Sequence, residues 1–429
     1  MTGNRLREAI ARHVLLCAGA LSALAMPFTH IAHAQAPATS LTMQQVVDIA
    51  RAKNPTLLSA EQNLLGVKAQ EVQAAVRANP SATLYGTNIS LPAEGASNPY
   101  AYSAQVSRLF ERGQKRRWRI DSARSTTEQT SDQYHDQQRQ TILAVKQAFT
   151  NMLLAKATLK LAQDSLKNFR RELGISQERY KAGDIGKLDF ERLDLQLAQF
   201  ETDESTAEVS LAQASYQLQT LIGYEQLQDK DKFDISGDLV PPGLSTNLQE
   251  LQQKALAGRP DYQAAQAAIR VADANVKLAY ANGTTDPTLE GEYDRSGTYN
   301  SAGFSVSVPL RFFDRNQGNK ETSKYQAQAS RFSEIAARNQ VNSDVAQAWV
   351  GYTNSKTLSE RYNGHYLDEA KDVLSIAQFA YEHGGLALLD YLNALEDNRT
   401  TNLDALNAYA QTWMAIHQLS FAAATEVAP

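Results

Sequence analysis

From Tyr100 to Val240, and again from Leu310 to Ala428, the chain contains no proline. Proline removes a backbone donor and breaks helix interiors, so two such spans permit helices of unusual length. The first also lacks glycine from Lys115 to Leu173. Within it Val145, Met152, Leu159 and Leu166 recur every seven residues, and Ile142, Phe149, Ala162 and Phe169 fill the same side, which is coiled-coil spacing. A helix from about 113 to 179 would run about 100 Å, far too long for an ordinary globular domain.

The second constraint is duplication. Asn54-Pro55 corresponds to Arg259-Pro260, each proline suiting the first turn of a helix. The junction Glu111, Arg112, Gln114 corresponds to Asp314, Arg315, Gln317, and "YKAGDIGKLDF" from Tyr180 corresponds to "YEHGGLALLDY" from Tyr381. The displacements are 205, 203 and 201 positions. This reads as two structural repeats, 35–240 and 241–429, with Pro241-Pro242-Gly243 in the polar linker between them. Helices are expected over about 56–79, 113–179 and 187–222 in the first repeat, and over about 261–282, 319–382 and 387–425 in the second. In each, two short helices end to end match the length of one long one. Their modest hydrophobicity suits a hollow cylinder better than a solid bundle.

Between the short and long helices lie candidate strands at about 81–90 and 101–110, and at 287–295 and 302–310. Phe304, Val306, Val308 and Leu310 alternate with serines, and Leu289, Gly291 and Tyr293 alternate with Glu290, Glu292 and Asp294. Each strand is long enough to cross a membrane when tilted. Four strands cannot close a barrel, whereas three copies would supply twelve. Two surface hairpins on a soluble core are the competing reading. If the acidic stripe Glu290, Glu292 and Asp294 faces a lumen, it favours cations.

Residues 1–34 read as a secretory leader: Arg5, Arg7 and Arg12 precede an apolar run from Val14 to Ala25, and Ala32-His33-Ala34 supplies a cleavage site. The only cysteine, Cys17, lies in that run, so the mature chain would have no thiol for disulfides, metal or nucleophilic chemistry. A formal charge of −5 argues against nucleic acid. The mature histidines, His135, His365, His383 and His417, form no metal-ligating helix pair, and no phosphate loop or nucleophile motif is present. No catalytic, cofactor or metal site is expected, so the chain reads as a passive protein driven by a partner.

With these pieces in place, the chain resembles the outer-membrane factor family, the TolC-like efflux proteins of Gram-negative bacteria. The resemblance spans "LTMQQVVDIARAKNP", both strand-to-helix junctions and both glycine-leucine-aspartate turns. "ERGQKRRWR" and "VPLRFFDRNQG" look most like the heavy-metal branch, of cobalt, zinc and cadmium resistance. It implies a mainly α fold with a small β part: a homotrimer with a twelve-stranded outer-membrane barrel and a long periplasmic α-helical barrel. It further implies a periplasmic adaptor (membrane fusion) protein and an inner-membrane RND-type pump as partners. The tips at Gly183, Gly384 and Gly385 would form the periplasmic mouth. Asp390 matches a gate aspartate of the family, whereas Asn393 stands where a second is found. Asp189 and Asp194 are further gate candidates, with a helix-start cap as the alternative role. At the junctions, Asp314 would cap a long helix, Arg315 would pair with a carboxylate, and Lys115, Arg116, Arg117 and Arg119 would meet lipid heads or acidic neighbours. Ducts for drugs or secreted proteins, and a periplasmic coiled-coil scaffold with no pore, are the competing functions.

Overall fold

The computed structural model describes residues 40–87, 100–225, 227, 228 and 233–428. The expected leader, the end of the first strand and its following loop lie outside them. Each half opens with a short helix and a proline-started one: α1 (Met43–Lys53) and α2 (Pro55–Ala75), then α5 (Leu248–Gly258) and α6 (Pro260–Asn282). Each then gives a strand pair, β1 (Ser81–Thr87) and β2 (Ala101–Leu109), then β3 (Thr288–Ser296) and β4 (Tyr299–Ser307). A long helix follows, α3 (Lys115–Ala182) in the first half. In the second it is divided into α7 (Gln317–Arg361), a π-turn (Tyr362–Tyr366) and α8 (Leu367–Glu382). A return helix closes each half, α4 (Lys187–Leu221) and α9 (Leu388–Ala423).

The halves bury equivalent positions. Val145, Phe149 and Met152 of α3 pack with Val46 and Val47 of α1 and Leu218 of α4. Val345 and Tyr352 of α7 pack with Leu251 of α5 and Leu419 of α9. Phe149 and Tyr352 are the same repeat position, as are Asn54 and Arg259, and both of the latter clamp their half's return helix. The Asn54 side chain accepts from the amides of Thr56 and Leu57 and donates to the Leu221 carbonyl at 2.7 Å. The Arg259 guanidinium reaches the Ala422 carbonyl at 3.4 Å, and it pairs with Asp261 at 2.6 Å and Asp344 at 2.9 Å.

Two differences from the sequence reading have physical causes. β4 begins and ends three residues earlier than expected, leaving Val308 and Leu310 outside the ladder. Gly297, at φ 57°, allows a tight turn with Ser296 paired to Tyr299, and Pro309 has no N–H to extend the pairing. The expected helix over 319–382 is interrupted by the π-turn. Above it the halves correspond at 203 positions (Phe149 and Tyr352); below it they correspond at 201 (Tyr180 and Tyr381). Losing two residues would rotate the apolar face by about 200°. The wide turn takes up one more residue without advancing the face, so the mismatch shrinks from about 160° to about 60°, within reach of supercoiling.

His417 of α9 is buried, stacks on Trp413 and shares a 3.0 Å hydrogen bond with Thr150 of α3. Burial, reinforced by Lys146, lowers its pKa to about 3 from 6.5. The unfolded chain therefore binds a proton that the folded chain refuses, and stability should fall as pH drops through that window. Melting His417→Gln beside the parent from neutral pH into acid should show a shallower loss in the variant. Arg259→Ala takes the ion pair from Asp344 and leaves Asp261 only Arg139, at 3.3 Å, and should cost about 1–3 kcal/mol in chemical denaturation.

Candidate functional site

The four strands form one antiparallel sheet in the order β1-β2-β3-β4, with the halves joined where β2 pairs β3 from Ala101↔Ser296 to Leu109↔Thr288. Cross-strand partners share a face, so the register sorts the side chains completely. One face carries Leu84, Val106, Leu289, Tyr293, Phe304 and Val306, all exposed, Leu84 at 81% and Phe304 at 84%. The other carries Tyr85, Ser103, Gln105, Glu290, Glu292 and Asp294. The acidic stripe is knit to its neighbours: Tyr85 donates to Glu292 at 2.9 Å, Ser103 donates to Glu292 at 3.0 Å and to Asp294, and Gln105 donates to Glu290. β1 and β4 each have one partner within the chain, which leaves an open edge on either side.

At the strand-to-helix junctions Glu111 pairs with Arg119 rather than with Arg112, whose amide instead donates to Asp286 at 2.8 Å. Lys115 is buried and pairs with Asp286 at 2.6 Å. Gln114 is left-handed at φ 58° and its amide oxygen accepts from Arg117 at 3.2 Å. The expected capping by Asp314 is corrected. Its carboxylate accepts from the Asn316 amide at 2.8 Å within the turn, while Asn316, at φ 61°, occupies the N-cap of α7 without a side-chain cap bond. Arg315 has no carboxylate partner among the described residues; its amide donates to the Gln317 side chain at 2.9 Å.

The far ends of the helices are built alike in both halves. Gly183 (φ 88°) and Gly384 (φ 76°) terminate α3 and α8 in left-handed turns, in which Asp184 N–H donates to Arg179 O and Gly385 N–H to Ala380 O at 2.7 Å. A stacked ring pair ties each hairpin, Tyr180 on Phe190 at 5.3 Å and Tyr381 on Tyr391 at 5.1 Å. Asp189 and Asp390 stand one residue before the second ring, in the first turns of α4 and α9, where the helix dipole favours a carboxylate. Neither caps its helix by a side-chain bond. Asp390 and Asn393 are exposed on one hairpin, Asp194 is exposed on the other, and Asp189 is half-buried.

An apolar cluster containing Phe169, Leu193, Phe200, Tyr381, Leu388 and Tyr391 locks the two hairpins together, and Arg399 of α9 reaches Asp203 of α4. Sequence reasoning missed Glu172 of α3, which is buried beside this junction. It is buried with no hydrogen bond or ion pair among the described residues. Ser176 Oγ and the Tyr381 hydroxyl beside it are also buried and unpartnered. The heptad through Leu166 and Phe169 continues to Leu173 and Ser176, so spacing alone does not mark Glu172. Burial raises the Glu172 pKa above 4.5; Glu382 pushes the same way and Arg179 opposes. Tyr391 and Tyr381 are likewise pushed up, first by burial. Folded Glu172 keeps its proton to higher pH than the unfolded chain, so its contribution is fully present in acid and lost as pH rises through the raised value. Glu172→Gln should raise the thermal midpoint at neutral pH by a few degrees and flatten its decline above pH 4.5; an unchanged slope would contradict this reading.

Among the described residues no helix is long and apolar enough to cross a membrane, and no group of three or more His, Cys, Asp or Glu could hold a metal ion. A model of the outer membrane efflux protein family matches residues 46–224 and 251–424. The chain is 26% identical over 377 residues to the cobalt-zinc-cadmium resistance protein CzcC of Cupriavidus metallidurans, covering 87% of this chain and 88% of that one. It is 25% identical over 280 residues to the cation efflux system protein CusC of Escherichia coli K12, covering 61% and 59%. A solved membrane protein from Pseudomonas aeruginosa shares the fold with a TM-score of 0.76 at 19% identity, covering 89% and 93%. Matched through most of both halves, this chain belongs to the outer membrane efflux protein family, whose members are transport ducts rather than enzymes.

Proposed function

We propose that three copies pool their sheets into one twelve-stranded barrel, and that this trimer is the outer-membrane outlet of a tripartite pump for metal cations. The sheet carries the reading: four strands, one apolar face and two open edges. Backbone groups cannot stay unpaired in hydrocarbon, so β1 of one copy must meet β4 of the next until the ring closes. The apolar face then turns to lipid, and Glu290, Glu292 and Asp294 line the lumen. The relatives named for cobalt-zinc-cadmium resistance and cation efflux support metal cations as the cargo.

At the opposite end, Asp390 supplies one carboxylate per copy, a ring of three that attracts cations. Asn393 leaves this ring single, with Asp189 and Asp194 as outer acidic groups. The tips at Gly183 and at Gly384-Gly385 engage a periplasmic adaptor, which joins the duct to an inner-membrane pump of RND type that supplies the energy.

Native mass measurement of detergent-extracted protein should give three copies; a single copy in the soluble periplasmic fraction would sink the barrel. In planar bilayers, E290Q/E292Q/D294N should lower the preference for cations over anions severalfold. Deleting the gene should cost tolerance to cobalt, zinc or cadmium. Loss of tolerance to organic drugs alone would reassign the cargo.

A further inference from the structure

The strand-to-helix junctions hold a charge opposite to that of the whole chain. Residues 108–119 contain six Lys or Arg and one Glu, and residues 311–324 contain four and two acidic residues, giving +7 in a chain of −5. Much of this charge is unspent. Glu111 is taken by Arg119, Asp286 by Lys115 and Glu321 by Lys324. Arg108, Arg116 and Lys320, and Arg77 and Lys277 from the neighbouring helix ends, have no carboxylate partner among the described ion pairs, and all but the half-buried Lys320 are exposed.

Arg108 is still in β2, whereas Arg77, Arg116, Lys277 and Lys320 lie at one level past the strand ends. Arg116 and Arg119 donate to the carbonyls of Ala75 and Val76, beside Arg77, at 2.6 and 3.3 Å. Lys277 lies over Trp118 at 4.9 Å, and Lys320 lies over Tyr280 at 5.3 Å. Between this level and the strands stand exposed apolar residues, Phe110, Leu310, Phe312 and, at 95% exposure, Phe313. From sheet to helix the order is therefore apolar strand face, bulky apolar side chains, then a belt of cations with aromatic rings. A bilayer presents acyl chains, then an amphipathic boundary, then phosphates in the same order.

We propose that this belt binds the phosphate headgroups of anionic phospholipid in the leaflet facing the helices, fixing the depth at which the sheet sits. The inference rests on the barrel reading, since the sheet must be in the bilayer for its junction to meet headgroups. An acidic protein surface would satisfy the charge but leave Phe312 and Phe313 in water.

The test uses the full mature protein in detergent, with lipid retention read by native mass measurement. Phosphatidylglycerol should be retained in preference to zwitterionic phosphatidylethanolamine, the preference should weaken with salt, and inorganic phosphate at matched concentration should not displace the lipid. R77Q/R116Q/K277Q/K320Q should reduce phosphatidylglycerol retention about tenfold or more, while R116K/K277R should retain it as the parent does. Equal retention of both lipids by the parent, or undiminished phosphatidylglycerol on the fourfold variant, overturns the proposal. Displacement by phosphate alone also overturns it, since the belt would then be a free-anion site. A trimer that conducts ions but shows no lipid preference defeats this inference and leaves the duct standing; a monomer defeats both.

Discussion

The hydrogen bonds that β1 and β4 do not make within one chain govern the rest of the molecule. In the proposed barrel the apolar face lies in hydrocarbon, where an unpaired N–H or C=O has no water to satisfy it. Completing the ladder is thus the condition for the sheet to reside there at all, and the sequence supplies too few strands to do so alone. The cross-strand bonds of Ser103 and Gln105 to the acidic stripe serve the same end. They fix which face is polar and so oppose a one-residue slip that would turn carboxylates onto the apolar face.

The helices inherit their arrangement from this sheet. Each half sends one long helix away and brings one return helix back, and the polar clamps at Asn54 and Arg259 seize the return helix at matching places. The same chemistry is not reused: a neutral amide serves one half, and a guanidinium between two aspartates serves the other. The duplicated scaffold has kept its geometry while its bonds diverged. Only the farther ends retain nearly identical hardware, a left-handed glycine followed by a stacked ring pair with an aspartate beside it.

Much of this was legible in the sequence because it rests on local rules. Missing proline and glycine, together with the spacing of Val145, Met152 and Leu166, announce α3; alternation announces β2 and β3. Legibility failed where the outcome depends on distant partners or on a single dihedral. The β4 register turned on Gly297 permitting a tight turn. Lys115 and Asp286 stand 171 positions apart, and nothing near either names the other. Glu172 looks like any helix-surface carboxylate until the second hairpin closes over it. The acidic junction residues were found, but Asp314 serves the turn rather than the helix because Asn316 takes the left-handed cap.

The π-turn at Tyr362–Tyr366 makes the two long arms mechanically unequal. Torque entering α3 at Gly183 passes through 68 residues of uninterrupted helical bonding to the sheet. Torque entering α8 at Gly384 meets, after 16 residues, a wider coil whose hydrogen bonds span a longer loop. One arm is thus a continuous strut and the other a divided one, with the division one 16-residue helix away from the hairpin that carries Asp390.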